Sequence, residues 1–264
     1  RIGAPEVWNK LKNRRVKVGI IDTGIVSNHP DLQGNFKEGI STLDDNSSYI
    51  DDNGHGTHVA GIIGANRSRG MVGANPYTDF YVVKAFDRRG SGKLSDIIEG
   101  IDWLIRRQVN VINMSFSTPD TNSLLERVIR EAYLRGTILV AAAGNDGGTN
   151  SVKYPAKYDE VMAVTATDRD DHLADFSSSG PEVDFCAPGD NIRSTWLGGG
   201  YEVKSGTSFA APHIVGEVAD LLNYYGPMSP LQVRERLAEG AVQLKGLSPE
   251  QQGAGLVEIK KIIR

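Results

Sequence analysis

The chain has 264 residues, of which 39% are hydrophobic and 23% are charged, as is typical of a folded globular protein. Its net charge of -4 does not favour nucleic acid or acidic membrane surfaces, because both attract basic proteins. No apolar run approaches the roughly 20 residues needed to cross a bilayer. The single cysteine, Cys186, excludes an internal disulfide, and its apolar flanks predict a buried thiol.

Strand and helix patterns alternate along the chain. Residues 16–21 form a near-continuous apolar run, which predicts a strand buried on both faces and ending at Asp22. Residues 25–54 are predicted to be mostly loop, and His55 to begin a helix of small residues. Further strands are predicted near residues 80–86, 109–114, 137–143 and 161–166, with short strands and turns over 176–204. Helices are predicted near residues 5–11, 95–107, 124–135, 208–225, 229–238 and 256–263.

This alternation predicts the α/β class, as a three-layer α/β/α fold with a mostly parallel, doubly wound central sheet. No linker divides the sequence, so residues 1–264 are predicted to form a single domain.

The sequence around Ser208 predicts a serine in the first turn of a buried helix. Gly206 and Thr207 precede it, and a largely apolar helical pattern follows as far as Leu222. The first N–H groups of a helix have no partner within the helix, so they offer donors to an oxyanion formed beside such a serine. Serine is also a common helix cap, so this motif alone does not identify a nucleophile.

Three further side chains suit the chemistry of a serine nucleophile. His55 titrates near neutrality and can take the serine proton and return it. Asp22 can orient the imidazole, and it follows a buried strand, where open α/β sheets build their sites. Asn145 offers an amide donor to the oxyanion. The alternatives are a surface histidine at His55, a core histidine at His58, or a metal pair of the two, although the HExxH zinc spacing is absent.

The motifs around these residues resemble those of the subtilisin-like serine proteases, the subtilase family. They are IDTG at 21–24, HGTHVAG at 55–61, AAAGN at 141–145 and GTSFAAPH at 206–213. The resemblance implies a serine endopeptidase that works through an acyl-enzyme. Asp22 would orient His55, which acts as base and then acid, and Ser208 would attack. Asn145 and the Ser208 N–H would hold the oxyanion.

The resemblance also implies that a peptide substrate binds as an extended strand between two edge segments. Matching the family's segments gives Gly90, Ser91 and Gly92 on one side and Ser115, Phe116 and Ser117 on the other. Leu94 is expected to line the S4 pocket. Side chains replace the family's usual glycines after Ser115, which should narrow the S1 pocket. Lys153 at its base predicts a preference for acidic or small P1 residues, unless its amine points to solvent.

Structural calcium is common in the family, although no cofactor is expected for the chemistry itself. Asp31 matches an acid of one calcium site, but the loop at residues 66–70 is short and carries two arginines, so this site is expected to be weak or lost. A second, weaker cation site is matched by Glu182 and Asp184, together with backbone carbonyls near Ala156, Tyr158 and Val161. Two solvated surface acids are the alternative.

Family habit predicts a mature, secreted, monomeric chain, although the sequence leaves an intracellular enzyme open. Its expected partners are a polypeptide substrate and an N-terminal prodomain or inhibitor. A binding or regulatory pseudoprotease on the same fold is the main alternative function, but the intact triad residues and Asn145 do not support it. An aspartic protease needs a second catalytic aspartate in an all-β fold. An α/β-hydrolase esterase needs a Gly-x-Ser-x-Gly elbow, which Ser208 lacks.

Overall fold

The structure is a computed structural model that describes residues 1–12, 14–44 and 47–264. Its strands are β1 (Val16–Asp22), β2 (Phe36–Ser41), β3 (Thr78–Lys84), β4 (Val111–Met114), β5 (Ile138–Ala142), β6 (Met162–Thr167), β7 (Val183–Pro188), β8 (Ile192–Thr195), β9 (Tyr201–Lys204), β10 (Ala241–Val242) and β11 (Leu256–Val257). Its α-helices are α1 (His55–Gly64), α2 (Leu94–Arg106), α3 (Ser123–Leu134), α4 (Thr207–Tyr225), α5 (Pro230–Gly240), α6 (Pro249–Gln252) and α7 (Ile259–Ile262).

The main sheet has nine strands in the described residues, in the order β10-β11-β7-β6-β5-β4-β1-β3-β2. All of its pairings are parallel except that of β10 with β11. The chain builds the sheet on both sides of β1, with β3 and then β2 on one side and β4 to β7 in chain order on the other, as in a doubly wound sheet. β8 and β9 form a separate antiparallel pair.

Helices cover both faces of this sheet. Successive residues of a strand point to opposite faces, and Ile20 and Ile21 of β1 accordingly join two different cores. Ile20 packs in the core that includes Val215 of α4, on the side of α1, α4, α5 and α7. Ile21 packs in the core that includes Leu104 of α2, on the side of α2 and α3. The expected three-layer α/β/α fold is therefore confirmed.

Two local predictions from the sequence were wrong, and one strand was not predicted. The described part of 25–54 is mostly loop, as predicted, but it contains β2, an edge strand whose mostly half-buried residues lack a continuous apolar run; residues 45 and 46 lie outside the described residues. The helix predicted over 256–263 is confined to Ile259–Ile262, because Leu256–Val257 adds a strand beside β7. The helix predicted near 5–11 is two 3-10 turns, Ala4–Glu6 and Trp8–Lys10.

The carboxyl ends of four neighbouring strands bring the predicted site residues to one edge. Asp22 is the last residue of β1, Ser115 follows β4 directly, and Asn145 lies three residues beyond β5. Because β5, β4, β1 and β3 are parallel neighbours, the segments that follow them lie side by side. Among the helices of the described residues, none has the length and apolar character needed to cross a membrane.

Candidate active site

A hydrogen bond joins Asp22 to His55. Asp22 is 2% exposed at the end of β1, and His55 begins α1 with its side chain 27% exposed. Nδ1 of His55 lies 2.7 Å from Oδ1 of Asp22. An ionised carboxylate only accepts hydrogen bonds, so Nδ1 carries the proton and Nε2 is left with a free lone pair. This is the tautomer that a general base needs.

The surroundings of His55 strengthen it as a base. Burial lowers the pKa of His55, but the charge of Asp22 and the hydrogen bond to it outweigh burial, and the charge of Asp51 adds to them. The pKa of His55 therefore lies above its ordinary value. An imidazolium formed during a reaction would be stabilised by the same carboxylate.

His58 has a different role from His55. It is fully buried, and its Nε2 lies 3.0 Å from the Ile192 carbonyl oxygen and 3.1 Å from that of Glu202. Burial lowers the pKa of His58 to about 4, so its ring is neutral at ordinary pH. His58 is thus a core histidine that holds α1 against β8 and β9.

Gly56 allows α1 to approach the turn after Asp22 closely. A Cβ atom on Gly56 would lie 2.2 Å from the carbonyl oxygen of Gly24 and 3.1 Å from Cβ of Asp22. Gly24 itself has φ +114°, a conformation that favours glycine. A side chain at Gly56 would therefore push His55 away from its partner.

Ser208 is the second residue of α4, at the helix terminus predicted from the sequence. Among the described residues, its Oγ has a hydrogen-bond partner in the Ser115 carbonyl oxygen, at 3.0 Å, and not in His55. Oγ of Ser115 donates in return to the Ser208 carbonyl oxygen at 2.7 Å. The ring of the next residue, Phe209, lies 5.2 Å from that of His55 between centroids. The structure therefore brings Ser208 to the Asp22–His55 pair without a formed serine–histidine bond.

Asn145 is fixed to the start of the same helix. Its Oδ1 accepts hydrogen bonds from the backbone N–H and from Oγ1 of Thr207, both at 2.9 Å. Because these donors fix the orientation of the amide, its Nδ2 donors remain for another acceptor. Asn145 is exposed, so this amide is accessible from solvent.

A cleft of about 330 Å³ is lined by six of the predicted site residues, but neither Ser208 nor Asn145 is among its lining residues. Its lining is Asp22, Thr23, Asn53, His55, Phe86, Gly90, Ser115, Phe116 and Ser117. The rings of Phe86 and Phe116 lie 5.2 Å apart, so they give the cleft an aromatic wall. Ser91 and Gly92 are exposed beside it, and Leu94 is half-buried at the start of α2.

Four residues near the site were not found from the sequence. Phe86 is the last residue of a predicted strand, but no pattern marks which face it takes. Thr23 belongs to the IDTG motif without an assigned task. Asp51 lies in an acidic loop four residues before the predicted helix start, which is too far away to be the N-cap, so no local pattern marks it. Asp146, next to Asn145, forms an ion pair with Lys153 because the loop between them turns back, and no sequence pattern predicts that turn.

Nζ of Lys153 lies 2.6 Å from Oδ2 of Asp146. The Lys153 side chain is 25% exposed, and that of Asp146 is 62% exposed. Tyr154 forms two backbone hydrogen bonds with Thr118, of 2.8 and 3.0 Å, which hold Lys153 beside the Ser117 segment. Lys153 is therefore close to the segment predicted to bind substrate, with its charge partly neutralised.

The acids matched to cation sites have partners in the protein. Asp31 is fully buried and accepts hydrogen bonds from the backbone N–H groups of Arg69 and Met71 and from the hydroxyl of Tyr201. Asp184 accepts a hydrogen bond from the Ala163 N–H at 2.8 Å.

Arg234 and Lys157 supply positive charge around the second of these positions. Nε of Arg234 lies 3.4 Å from Oδ1 of Asp184, and its guanidinium also donates to the Val161 carbonyl oxygen at 3.0 Å. Glu182 lies 3.4 Å from Nζ of Lys157.

The chain is similar to known proteins over most of its length. A sequence model described as the Subtilase family matches residues 13–255. The chain is 43% identical over 262 residues to the minor extracellular protease Epr of Bacillus subtilis strain 168, covering 98% of this chain and 40% of that protein. It is 44% identical over 242 residues to a thermostable alkaline protease of Halalkalibacterium halodurans, covering 91% of this chain and 65% of that protein. It is 40% identical over 266 residues to subtilisin Savinase of Lederbergia lenta, covering 100% of this chain and 97% of that protein.

The chain thus spans less than two thirds of the length of the first two of these relatives and nearly all of the third. The family model covers most of the chain. On these matches, the chain belongs to the subtilase family of serine proteases.

Proposed function

We propose that this chain is a serine endopeptidase that cleaves peptide bonds through an acyl-enzyme, with Ser208 as nucleophile. The observation that carries the proposal is the 2.7 Å bond between His55 and Asp22 beside the helix terminus that bears Ser208. Serine is a weak nucleophile unless a base takes its proton, and His55 is held in the tautomer that can do so. Family membership supports the same reaction.

In the proposed mechanism, Oγ of Ser208 turns from the Ser115 carbonyl to Nε2 of His55 as substrate binds. Such hydrogen bonds are often absent or long in free enzymes and tighten only with substrate bound. Oγ then attacks the scissile carbonyl carbon while His55 takes its proton. The resulting oxyanion accepts hydrogen bonds from Nδ2 of Asn145 and from the Ser208 N–H. His55 protonates the leaving amine, and water then releases the acyl group by the same steps.

A fluorophosphonate probe tests this proposal directly. Intact mass spectrometry should show one adduct on the parent and none on Ser208→Ala, because only a serine activated by a base reacts. His55→Ala should also fail to react while remaining folded. No adduct on a folded parent would contradict the proposal and favour a binding or regulatory protein on the same fold.

We further propose that a peptide substrate lies extended between the segment Gly90 to Gly92 and the segment Ser115 to Ser117. The first segment is exposed, and Gly90 lines the same cleft as Ser115 and His55. Extended peptides commonly bind by pairing their backbone with such edges.

We propose an S1 pocket that is narrow and basic and accepts acidic or small P1 residues. Lys153 supplies the positive charge, and Asp146 competes for it. An exposed ion pair typically contributes only about 0.2–1 kcal/mol, so a substrate carboxylate can displace Asp146. A P1 peptide library should therefore show that Asp146→Asn increases the preference for acidic P1 residues and that Lys153→Gln removes it. Fastest cleavage after Phe or Leu in the parent would contradict this pocket.

We also propose that neither matched cation position holds calcium in this chain. Calcium needs about six to eight oxygen ligands, and it competes poorly with hydrogen-bond donors that already occupy those oxygens. Tyr201 and two backbone N–H groups satisfy the Asp31 carboxylate. At the second position, the Arg234 guanidinium contacts both Asp184 and the Val161 carbonyl and so takes the place of a cation. The residues present therefore do not fit a calcium ion.

We propose that the protein acts outside the cell, since one relative is named an extracellular protease. We propose a single domain over residues 1–264 because no linker divides the sequence, and a monomeric state and an N-terminal prodomain or inhibitor from family resemblance. Size-exclusion chromatography with light scattering would test the oligomeric state.

A further inference from the structure

We infer that Asp51 is a positioning residue in the reaction proposed above, on which this inference rests. Its buried carboxylate ties the turn after Asp22 to the first turn of α1, and so sets His55 against Asp22. Asp51 does not contact the reacting atoms; it acts through the two elements that it joins.

Asp51 is 4% exposed and accepts five hydrogen bonds from three parts of the site. Oδ1 accepts from the Thr23 hydroxyl at 2.9 Å and from the N–H groups of Asn53 and Gly54 at 3.0 and 2.8 Å. Oδ2 accepts from the N–H and the hydroxyl of Thr57 at 2.9 and 2.6 Å. Hydrogen bonds to a buried carboxylate are stronger than neutral ones, so this cluster is rigid.

Thr23 completes the link between the two catalytic elements. It follows Asp22 directly, donates its hydroxyl hydrogen to Asp51, and accepts a hydrogen bond from the Gly56 N–H at 3.0 Å. Gly56 follows His55 directly. The chain neighbours of Asp22 and His55 are therefore joined through one hydroxyl, which is held in place by the Asp51 carboxylate.

Lys84 provides a second tie, between the turn after Asp22 and the loop that carries Asp51. Its side chain is 5% exposed, and its Nζ donates to the Thr23 carbonyl oxygen at 2.7 Å and pairs with Asp52. The charge of Lys84 also offsets part of the negative charge around Asp51 and Asp52. Both the hydroxyl and the carbonyl oxygen of Thr23 are therefore held, the first by Asp51 and the second by Lys84.

Asp51 affects His55 in two ways: its hydrogen bonds position the residue, and its charge raises the pKa of the imidazole. The ionisable groups that bear on the imidazole are Asp22, Asp51 and the neutral His58, with the Lys84–Asp52 pair behind them. Hydrogen bonds from Gly54 and Thr57 outweigh burial and lower the pKa of Asp51, so Asp51 is ionised throughout the range in which His55 titrates. A second anion near His55 favours the imidazolium, in addition to Asp22.

Two variants separate the charge from the hydroxyl link. Asp51→Asn removes the charge and replaces one of the two accepting oxygens with an NH2 donor, whereas Thr23→Val keeps the charge and removes the hydroxyl link. A small displacement of catalytic groups can cost up to about 100-fold. We expect both variants to lower kcat by roughly 10- to 100-fold, with a smaller change in KM.

The pH profile distinguishes the two variants from each other and from a purely structural role. The acid limb of kcat/KM should move to lower pH in Asp51→Asn and stay in place in Thr23→Val. Thr23→Ser should recover most of the kcat lost in Thr23→Val. Glu99→Gln, an exposed acid on α2, is the matched control for loss of one charge. The titration of His55 can be followed by NMR in a Ser208→Ala background, which needs no activity.

The inference is overturned if Asp51→Asn retains the kcat and acid limb of the parent, or if both variants lose only thermal stability. If Asp51→Asn does not fold, kcat is compared between Thr23→Val and Thr23→Ser. Equal kcat in these two variants and the parent would then overturn the inference. Failure of the proposed function is distinguishable, because the parent itself would then not react with the fluorophosphonate probe.

Discussion

Glu217 and Asp220 lie one turn apart on α4, the helix that carries Ser208, and both are fully buried. Oδ1 of Asp220 accepts a hydrogen bond from Asn75 at 2.9 Å. Oδ2 of Asp220 and both carboxylate oxygens of Glu217 have no hydrogen-bond partner among the described residues. Burial raises the pKa of both groups well above ordinary values, and for Glu217 the charge of Asp220 adds to burial. The fold therefore favours the protonated carboxyls.

We predict that the contribution of this pair to the free energy of unfolding falls as the pH rises above about 4. In the unfolded chain a glutamate ionises near pH 4.3, whereas the folded chain holds its proton to a higher pH. Stability from this group is therefore fully present below the unfolded pKa and is lost as the pH rises towards the folded pKa. Glu217→Gln should be more stable than the parent between pH 5 and 8. Each kcal/mol of added stability should raise Tm by roughly 2–4 °C.

The slope of Tm against pH is the decisive measurement, because a buried glutamine amide has a cost of its own that does not depend on pH. Glu235→Gln, an exposed acid on α5, is the control and should leave the slope unchanged. A Glu217→Gln slope equal to that of the parent would show that Glu217 is ionised in the folded protein.

The pH dependence of activity should reflect the raised pKa of His55. The base must be neutral to accept the Ser208 proton, so activity is lost as the pH falls through the pKa of His55. Because the charge of Asp22 overcomes the effect of burial, we expect the acid limb of kcat/KM to lie above about 6.5, the ordinary value for histidine. Initial rates on a neutral peptide between pH 5 and 9 measure it. An acid limb below 6.5 would mean that burial dominates.

The places of Asp22, His55 and Ser208 in the fold could be predicted because each lies in a short motif. IDTG, HGTHVAG and GTSFAAPH each combine a reactive side chain with the small residues that its turn or helix terminus requires. Gly56 illustrates the link, since only a residue without a side chain lets His55 reach Asp22. The sheet was predictable for a similar reason, because buried parallel strands appear as continuous apolar runs.

The residues that could not be predicted depend on contacts between distant parts of the chain. Arg234 reaches the Val161 carbonyl from 73 positions away, and nothing in the sequence of α5 marks that arginine. The pairing of Lys153 with Asp146 depends on how one loop turns back beside Asn145. The edge strand β2 was missed because its half-buried residues give no periodic signal.

Two variants of Asn145 separate its proposed catalytic role from its structural one. Asn145→Asp keeps an oxygen that can accept from Thr207, so α4 should remain anchored while the donor is lost. Asn145→Ala removes both the donor and the anchor. Both should lose about 10²–10³-fold in kcat, the loss measured for such a donor in subtilisin, a member of this family. Only Asn145→Ala should also lower Tm. Unchanged kcat in both would remove Asn145 from the proposed oxyanion site.

The Arg234 contacts predict a protease whose stability does not depend on calcium. Chelation with EDTA should leave the Tm of the parent unchanged, because an internal guanidinium already neutralises Asp184. Arg234→Ala should lower Tm, since it leaves Asp184 and the Val161 carbonyl without their cationic partner. In this variant alone, added calcium should raise Tm, because calcium binding stabilises the folded state by about 2.7 kcal/mol at a concentration of 100 times its Kd.

Arg236→Ala, which removes an exposed arginine from the same helix, is the matched control and should not respond to calcium. A fall in the Tm of the parent on chelation would contradict the proposal, because it would place a bound cation where the guanidinium lies or at Asp31. The two positions can then be told apart with Asp31→Asn, which should abolish the EDTA effect only if the cation binds at Asp31.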